Sequence, residues 1–225
     1  SVVIMRSIDL ASGTFTAPTG GSSSCTINGS GGGLGGGDAF DADAGSTFTA
    51  GSGTITFTGN TNPNIRNLSG EAFNNIVINT TGGTPIVETQ RDIAIGGTLK
   101  VVEGTFRSYA SAAKSITVTG EVLVEDGGTL GGGSANSARS ATSPSSGFAW
   151  HSQGTFTHNK GTVSIETASA AASIMNETGG FYNLINNRPD DIDTYFKYDH
   201  NVSAGAAVVI YNNLTLTEGS LWTTN

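Results

Sequence analysis

Short runs in which polar and apolar residues alternate at every step recur along this chain. Thr54-Ile55-Thr56-Phe57-Thr58, Ser115-Ile116-Thr117-Val118-Thr119 and Asn213-Leu214-Thr215-Leu216-Thr217 are the clearest. A period of two over such a run predicts a strand with one buried face and one wet face. Asn75-Ile76-Val77-Ile78-Asn79, Ile93-Ala94-Ile95 and Val122-Leu123-Val124 read as further short strands. Gly82-Gly83, Gly96-Gly97 and Gly127-Gly128 fall between runs, where tight turns need positive φ. No segment longer than a turn or two carries helical apolar spacing, so the chain is expected to be all-β.

The pattern also repeats at long range. Ile8-Asp9-Leu10-Ala11-Ser12-Gly13-Thr14-Phe15 reads again as Leu99-Lys100-Val101-Val102-Glu103-Gly104-Thr105-Phe106, and as Leu214-Thr215-Leu216-Thr217-Glu218-Gly219-Ser220-Leu221. Ser24-Cys25-Thr26-Ile27-Asn28-Gly29 lies over Ser115-Ile116-Thr117-Val118-Thr119-Gly120. Thr47-Phe48-Thr49, Gly53-Thr54-Ile55-Thr56-Phe57 and Phe73-Asn74-Asn75-Ile76 lie over Thr155-Phe156-Thr157, Gly161-Thr162-Val163-Ser164-Ile165 and Phe181-Tyr182-Asn183-Leu184. Ordered repeats of strand–Gly–strand predict a parallel β-helix (β-solenoid) of repeated multi-coil units, each coil of roughly 20–30 residues. A β-sandwich is the alternative. The copies divide the chain into a partial first repeat with a Gly-rich loop (1–46), a second repeat with an inserted loop (47–153) and a third, incomplete repeat (154–225). The chain therefore reads as a piece of a longer repetitive protein.

Composition narrows the functional classes. Glycine supplies 33 of 225 residues, and only 12% are charged. Thr, Ser and Asn fill the polar positions instead, which suits stacked strands whose hydroxyls and amides ladder. The net charge of −8 disfavours nucleic acid, because phosphate contacts need clustered Lys and Arg. No apolar run reaches the roughly 18 residues of a membrane helix, so membrane insertion is not expected. The single cysteine, Cys25, stands over Ile116 in the repeat and reads as a small buried hydrophobe.

Phe73-Asn74-Asn75-Ile76-Val77-Ile78-Asn79 followed by Ile93 to Phe106 resembles the "F-x-N-L-x-I-N … V-x-G-T-L-x-L-x-x-G-T-F" repeats of long extracellular bacterial proteins. Gly154-Thr155-Phe156-Thr157-His158-Asn159-Lys160-Gly161-Thr162-Val163 is similar to a motif of repetitive virion or fibre proteins of marine phages. The resemblance implies a β-solenoid used as a fibre, stalk or adhesive surface, and it brings no catalytic residues.

Candidate chemistry is sparse. Asp38, Asp41 and Asp43 bring three carboxylates together after Gly31 to Gly37, a donor set that a hard cation such as Ca²⁺ would take; a solvated acidic loop is the plainer reading. No other cofactor is expected. Asp190, Asp191 and Asp193 form a second acidic group with Tyr195, Tyr198 and His200 nearby. Trp150, Tyr195 and Tyr198, with Phe148, Phe196 and Trp222, lie where the repeat is interrupted or ends, either as contacts for sugars and partners or as caps on an open core. His151, His158 and His200 lack metal-ligand spacing and read as turn or surface residues. The expected protein is a non-enzymatic structural or adhesive module, extracellular, at a cell surface or on a virion. Its expected partners are copies of itself, neighbouring fibre or surface subunits, and cell-surface glycans. The alternative is a polysaccharide-binding or depolymerising β-helix using the Asp190, Asp191, Asp193 group.

Overall fold

The computed structural model describes residues 2–20, 23–29, 37–67, 71–82, 85–109, 111, 114–131, 138–141, 148–152, 155–158, 160–165, 172–176, 180–187, 193–196, 208–218 and 220–223. Among them there are strands and turns, and no helix. Every described strand pair is parallel, which is not the antiparallel pairing of a sandwich and is consistent with the expected β-helix.

The chain visits three faces in turn and returns to lie beside itself. The first face holds Val2–Met5, Ser24–Ile27, Thr54–Phe57, Asn75–Asn79, the start of Leu99–Ser108, Val122–Val124, Phe148–Ser152, Ala172–Asn176, Asp193–Phe196 and Ser220–Thr223. The second holds Ile8–Leu10, Asp38–Ala42, Asn64–Arg66, Ile86–Thr89, the end of Leu99–Ser108, Gly128–Gly131 and Thr155–Thr157. The third begins with the pair Gly13–Thr16 and Ser46–Thr49. It continues as a seven-stranded sheet of Ala72–Phe73, Ile93–Ile95, Ile116–Val118, Ala138–Ala141, Thr162–Ile165, Phe181–Asn187 and Ile210–Glu218. Between these two parts Glu71 supplies a side-chain bond in place of strand pairing: its Oε1 accepts the Phe48 N–H at 2.8 Å.

Register fixes the length of each circuit. On the first face Ser24 pairs with Thr54, 30 residues on, and Thr54 with Asn75, 21 residues on; the other steps lie between these extremes. One inward column runs Cys25, Ile55, Ile76, Leu99, Val122, Trp150, Ile174. All seven are buried. Period two puts the alternate residues of these strands, such as Thr26, Thr56 and Val77, on the other side. Rings from all three faces meet inside: Trp150 stands edge-on to Phe156 at 4.8 Å and to Phe181 at 5.4 Å.

The three corners share one device. Asn62 Oδ1 accepts the Ile86 N–H, Asn75 Oδ1 the Thr98 N–H, and Asp92 Oδ1 the Ser115 N–H, at 2.9, 2.8 and 2.8 Å. Each side chain satisfies a backbone donor one circuit further on, where the turn has interrupted the ladder.

The long-range repeat is not a repeat of whole coils. Ile8–Leu10 lies on the second face and its counterpart Leu99 on the first. Cys25 lies on the first face and Ile116 on the third, so their expected equivalence fails although both are buried. Thr54 and Thr162 are displaced in the same sense, by one face. What recurs is the corner. Gly13 and Gly104 take φ of 85° and 86°, one leading from the second face to the third and the other from the first to the second. The copy at Leu214 to Leu221 joins the third face to the first, with Gly219 outside the described residues. One Gly-Thr-Phe turn thus serves two different corners.

Candidate functional site

The expected acidic group is divided in the structure. Asp38 and Asp41 lie buried on the second face, and Asp43 is exposed just beyond the strand. Asp41 pairs directly with Arg66 on the neighbouring strand. That register sets the Arg66 guanidinium 3.4 Å from Asp38 Oδ2 and 3.1 Å from Asp41 Oδ2. Glu88 and Arg107 repeat the device further along the face, again in register, at 2.8 Å. An arginine of the chain thus stands where the sequence reading set a cation. Among the described residues no three His, Cys, Asp or Glu side chains group as metal ligands.

Asp41 Oδ1 is buried without a hydrogen-bond partner. Burial pushes the Asp41 carboxyl above its ordinary 3.8, against the pull of Arg66 and with added repulsion from Asp43 and Asp38. A raised carboxylate contributes stability that is complete below its unfolded value and is lost as pH rises through its folded value. Asp41→Asn is therefore expected to be more stable than the parent at pH 7, with the gain vanishing as pH falls below the ordinary carboxyl value of 3.8. Arg66→Met is expected to cost about 2–3 kcal/mol, less than a fully buried pair because the guanidinium side chain is 35% exposed. In an Asp38→Asn/Asp41→Asn background the same change should cost under about 1 kcal/mol. Urea melts of the four proteins measure this, and an equal cost in both backgrounds would refute the pairing.

The aromatic candidates separate as well. Trp150 is 1% exposed and belongs to the core, because Phe148–Ser152 is an ordinary strand of the first face and not part of an excursion. Its ring is not available to a ligand, which corrects the binding role expected of it. Phe196 packs against the same core. Tyr195 is half-buried and pairs in register with Trp222, whose side chain is exposed. Asp193 opens the same strand. Asp190, Asp191, Tyr198 and His200 lie outside the described residues.

The structure assembles a different aromatic group, which the sequence reading did not single out. The His158 ring stacks on Tyr182 at 5.5 Å with 26° between planes, and meets Tyr211 at 5.1 Å. The three occupy successive circuits at the corner leading into the third face. Lys160 adopts φ 59° and donates its N–H to His158 Nδ1 at 2.9 Å. That bond makes Nδ1 the acceptor and leaves the ring proton on Nε2. Burial holds the imidazole below its ordinary 6.5, so it is neutral at pH 7. Beside the rings runs an amide ladder: Asn212 Nδ2 donates to Asn183 Oδ1 at 2.8 Å, and Asn183 Nδ2 to Thr162 Oγ1 at 3.3 Å.

A cavity of about 340 Å³ opens beside Val2–Met5, lined by Met5, Phe15, Pro18, Cys25 and three hydroxyl side chains. It has no charged wall, and burial pushes the Cys25 thiol above its ordinary 9.0, away from the reactive thiolate. Compared with known protein families, curated proteins and solved structures, the chain matches none.

Proposed function

We propose that the chain is a parallel β-helix acting as a non-enzymatic structural and adhesive module, at a cell surface or on a virion. The observation that carries this reading is the continuous parallel pairing along the first face, in which one buried column passes through successive circuits. Stacking of this kind makes a stiff body from short strands, because each circuit covers the apolar side of the next. Low charge and laddered amides support a long-lived exterior surface. The two buried carboxylates closest to each other in sequence, Asp38 and Asp41, are occupied by Arg66, which favours a structural role for them over acid–base chemistry.

Immunogold electron microscopy with an antibody to the folded chain tests the reading. Gold is expected on the outer surface of the producing cells or on released particles. Label confined to the cell interior would overturn it.

A further inference from the structure

We propose that His158, Tyr182 and Tyr211, with Asn183 and Asn212, form a binding site for a neutral polysaccharide. This does not rest on the structural role proposed above, since the same side chains would bind in a chain of any location.

The argument begins with what the patch presents. Tyr211 is 59% exposed, and Tyr182 and His158 are half-buried, so the rings reach solvent without being loose. His158 touches both tyrosines and is itself held by the Lys160 N–H, so the ring cluster is set before a ligand arrives. The turn at Lys160 carries the only positive φ of a non-glycine residue among the described residues. With that backbone conformation the Lys160 N–H meets His158 Nδ1.

Chemistry then selects the ligand class. Aromatic faces pack against the C–H faces of sugar rings, and exposed aromatics are efficient anchors because few torsions are frozen. Amides offer a donor and an acceptor together, the pair that two vicinal hydroxyls require. Asn212 and Asn183 lie on adjacent strands of the third face, joined by a hydrogen bond and extended by Thr162. The ladder therefore repeats at the strand spacing of about 4.8 Å, which suits a polymer with repeated hydroxyls better than a compact molecule. With His158 neutral, Lys160 is the one charge among these residues. A polyanion needs several cations, and the chain as a whole carries −8.

Affinity electrophoresis of the whole chain tests this, with native gels containing a soluble neutral glucan, mannan or galactan, or the polyanion alginate. At least one neutral polymer is expected to retard the protein. Tyr211→Ala and Tyr182→Ala should each weaken that retardation about tenfold, the loss expected of one aromatic contact. Tyr211→Trp should retain it, and Trp222→Ala, which removes an exposed aromatic elsewhere, should leave it unchanged. Tyr182 is partly packed, so circular dichroism accompanies each variant; if Tyr182→Ala loses its fold, Tyr211→Ala alone decides. The proposal is overturned if no neutral polymer retards the protein, if Tyr211→Ala runs like the parent, or if alginate alone retards it.

Discussion

Trp150→Ala is expected to remove about 3–5 kcal/mol of stability, the range for deleting a fully buried tryptophan. The ring is 1% exposed and is enclosed by Phe156 and Phe181 from the other two faces. Val122 and Ile174 cover it above and below in the first-face column. Alanine leaves a void that these neighbours cannot close, because each is held in its own strand register. Stability in a stacked array is shared mainly between nearest neighbours, so the damage should be local. Amide exchange is expected to quicken in Val122–Val124 and Ala172–Asn176 while Thr54–Phe57 keeps its protection. Fluorescence supplies a second readout, since the chain has two tryptophans and Trp222 is 55% exposed. The parent should show one blue-shifted component shielded from acrylamide, and Trp150→Ala should lose it. A loss below about 1 kcal/mol, with the shielded component intact, would place Trp150 outside the core.

The burial of Trp150 is not legible in the sequence, and the reason is physical. Alternation marks a strand only when the strand is long enough to show it. Asn75–Asn79, Ile93–Ile95 and Val122–Val124 were legible to the residue because apolar positions and turn glycines framed them. Phe148-Ala149-Trp150-His151-Ser152 sits between Ser- and Gly-rich stretches, so its tryptophan looked like part of an insertion. The corners misled in another way. A positive-φ glycine followed by Thr-Phe serves one corner at Gly13 and another at Gly104, so similarity of sequence does not imply stacking in space. Asp41 and Arg66 are partners only because a bulge near Asp38 sets their register, and nothing in the linear sequence announces it. The His158, Tyr182 and Tyr211 group had a faint signal, an aromatic roughly once per circuit. Circuits of unequal length blurred it.

Gly104→Ala is expected to cost about 3 kcal/mol or more, and the size of that loss separates two effects that glycine combines. Gly104 lies within the strand Leu99–Ser108, where the chain turns from the first face to the second. Its φ of 86° disfavours any side chain, at about 1–2 kcal/mol. A Cβ there would also overlap Thr80 Oγ1 and stand 3.2 Å from the Pro85 carbonyl oxygen. Thr80 is fully buried and its hydroxyl donates to the Glu103 carbonyl at 3.3 Å, so it has no free direction in which to retreat. Gly13 and Gly45 provide the control: both have positive φ, and a Cβ on either meets nothing within 4 Å. Gly13→Ala and Gly45→Ala should therefore cost only the conformational part, about 1–2 kcal/mol. The excess at Gly104 is then the steric part, and Thr80→Ala should recover most of it in the double variant, since it removes the overlapping oxygen. Denaturant midpoints of the five proteins decide the matter. Equal losses at Gly13, Gly45 and Gly104 would mean that backbone conformation alone selects glycine at this corner, and that the strand is not pressed against Thr80 as the register requires.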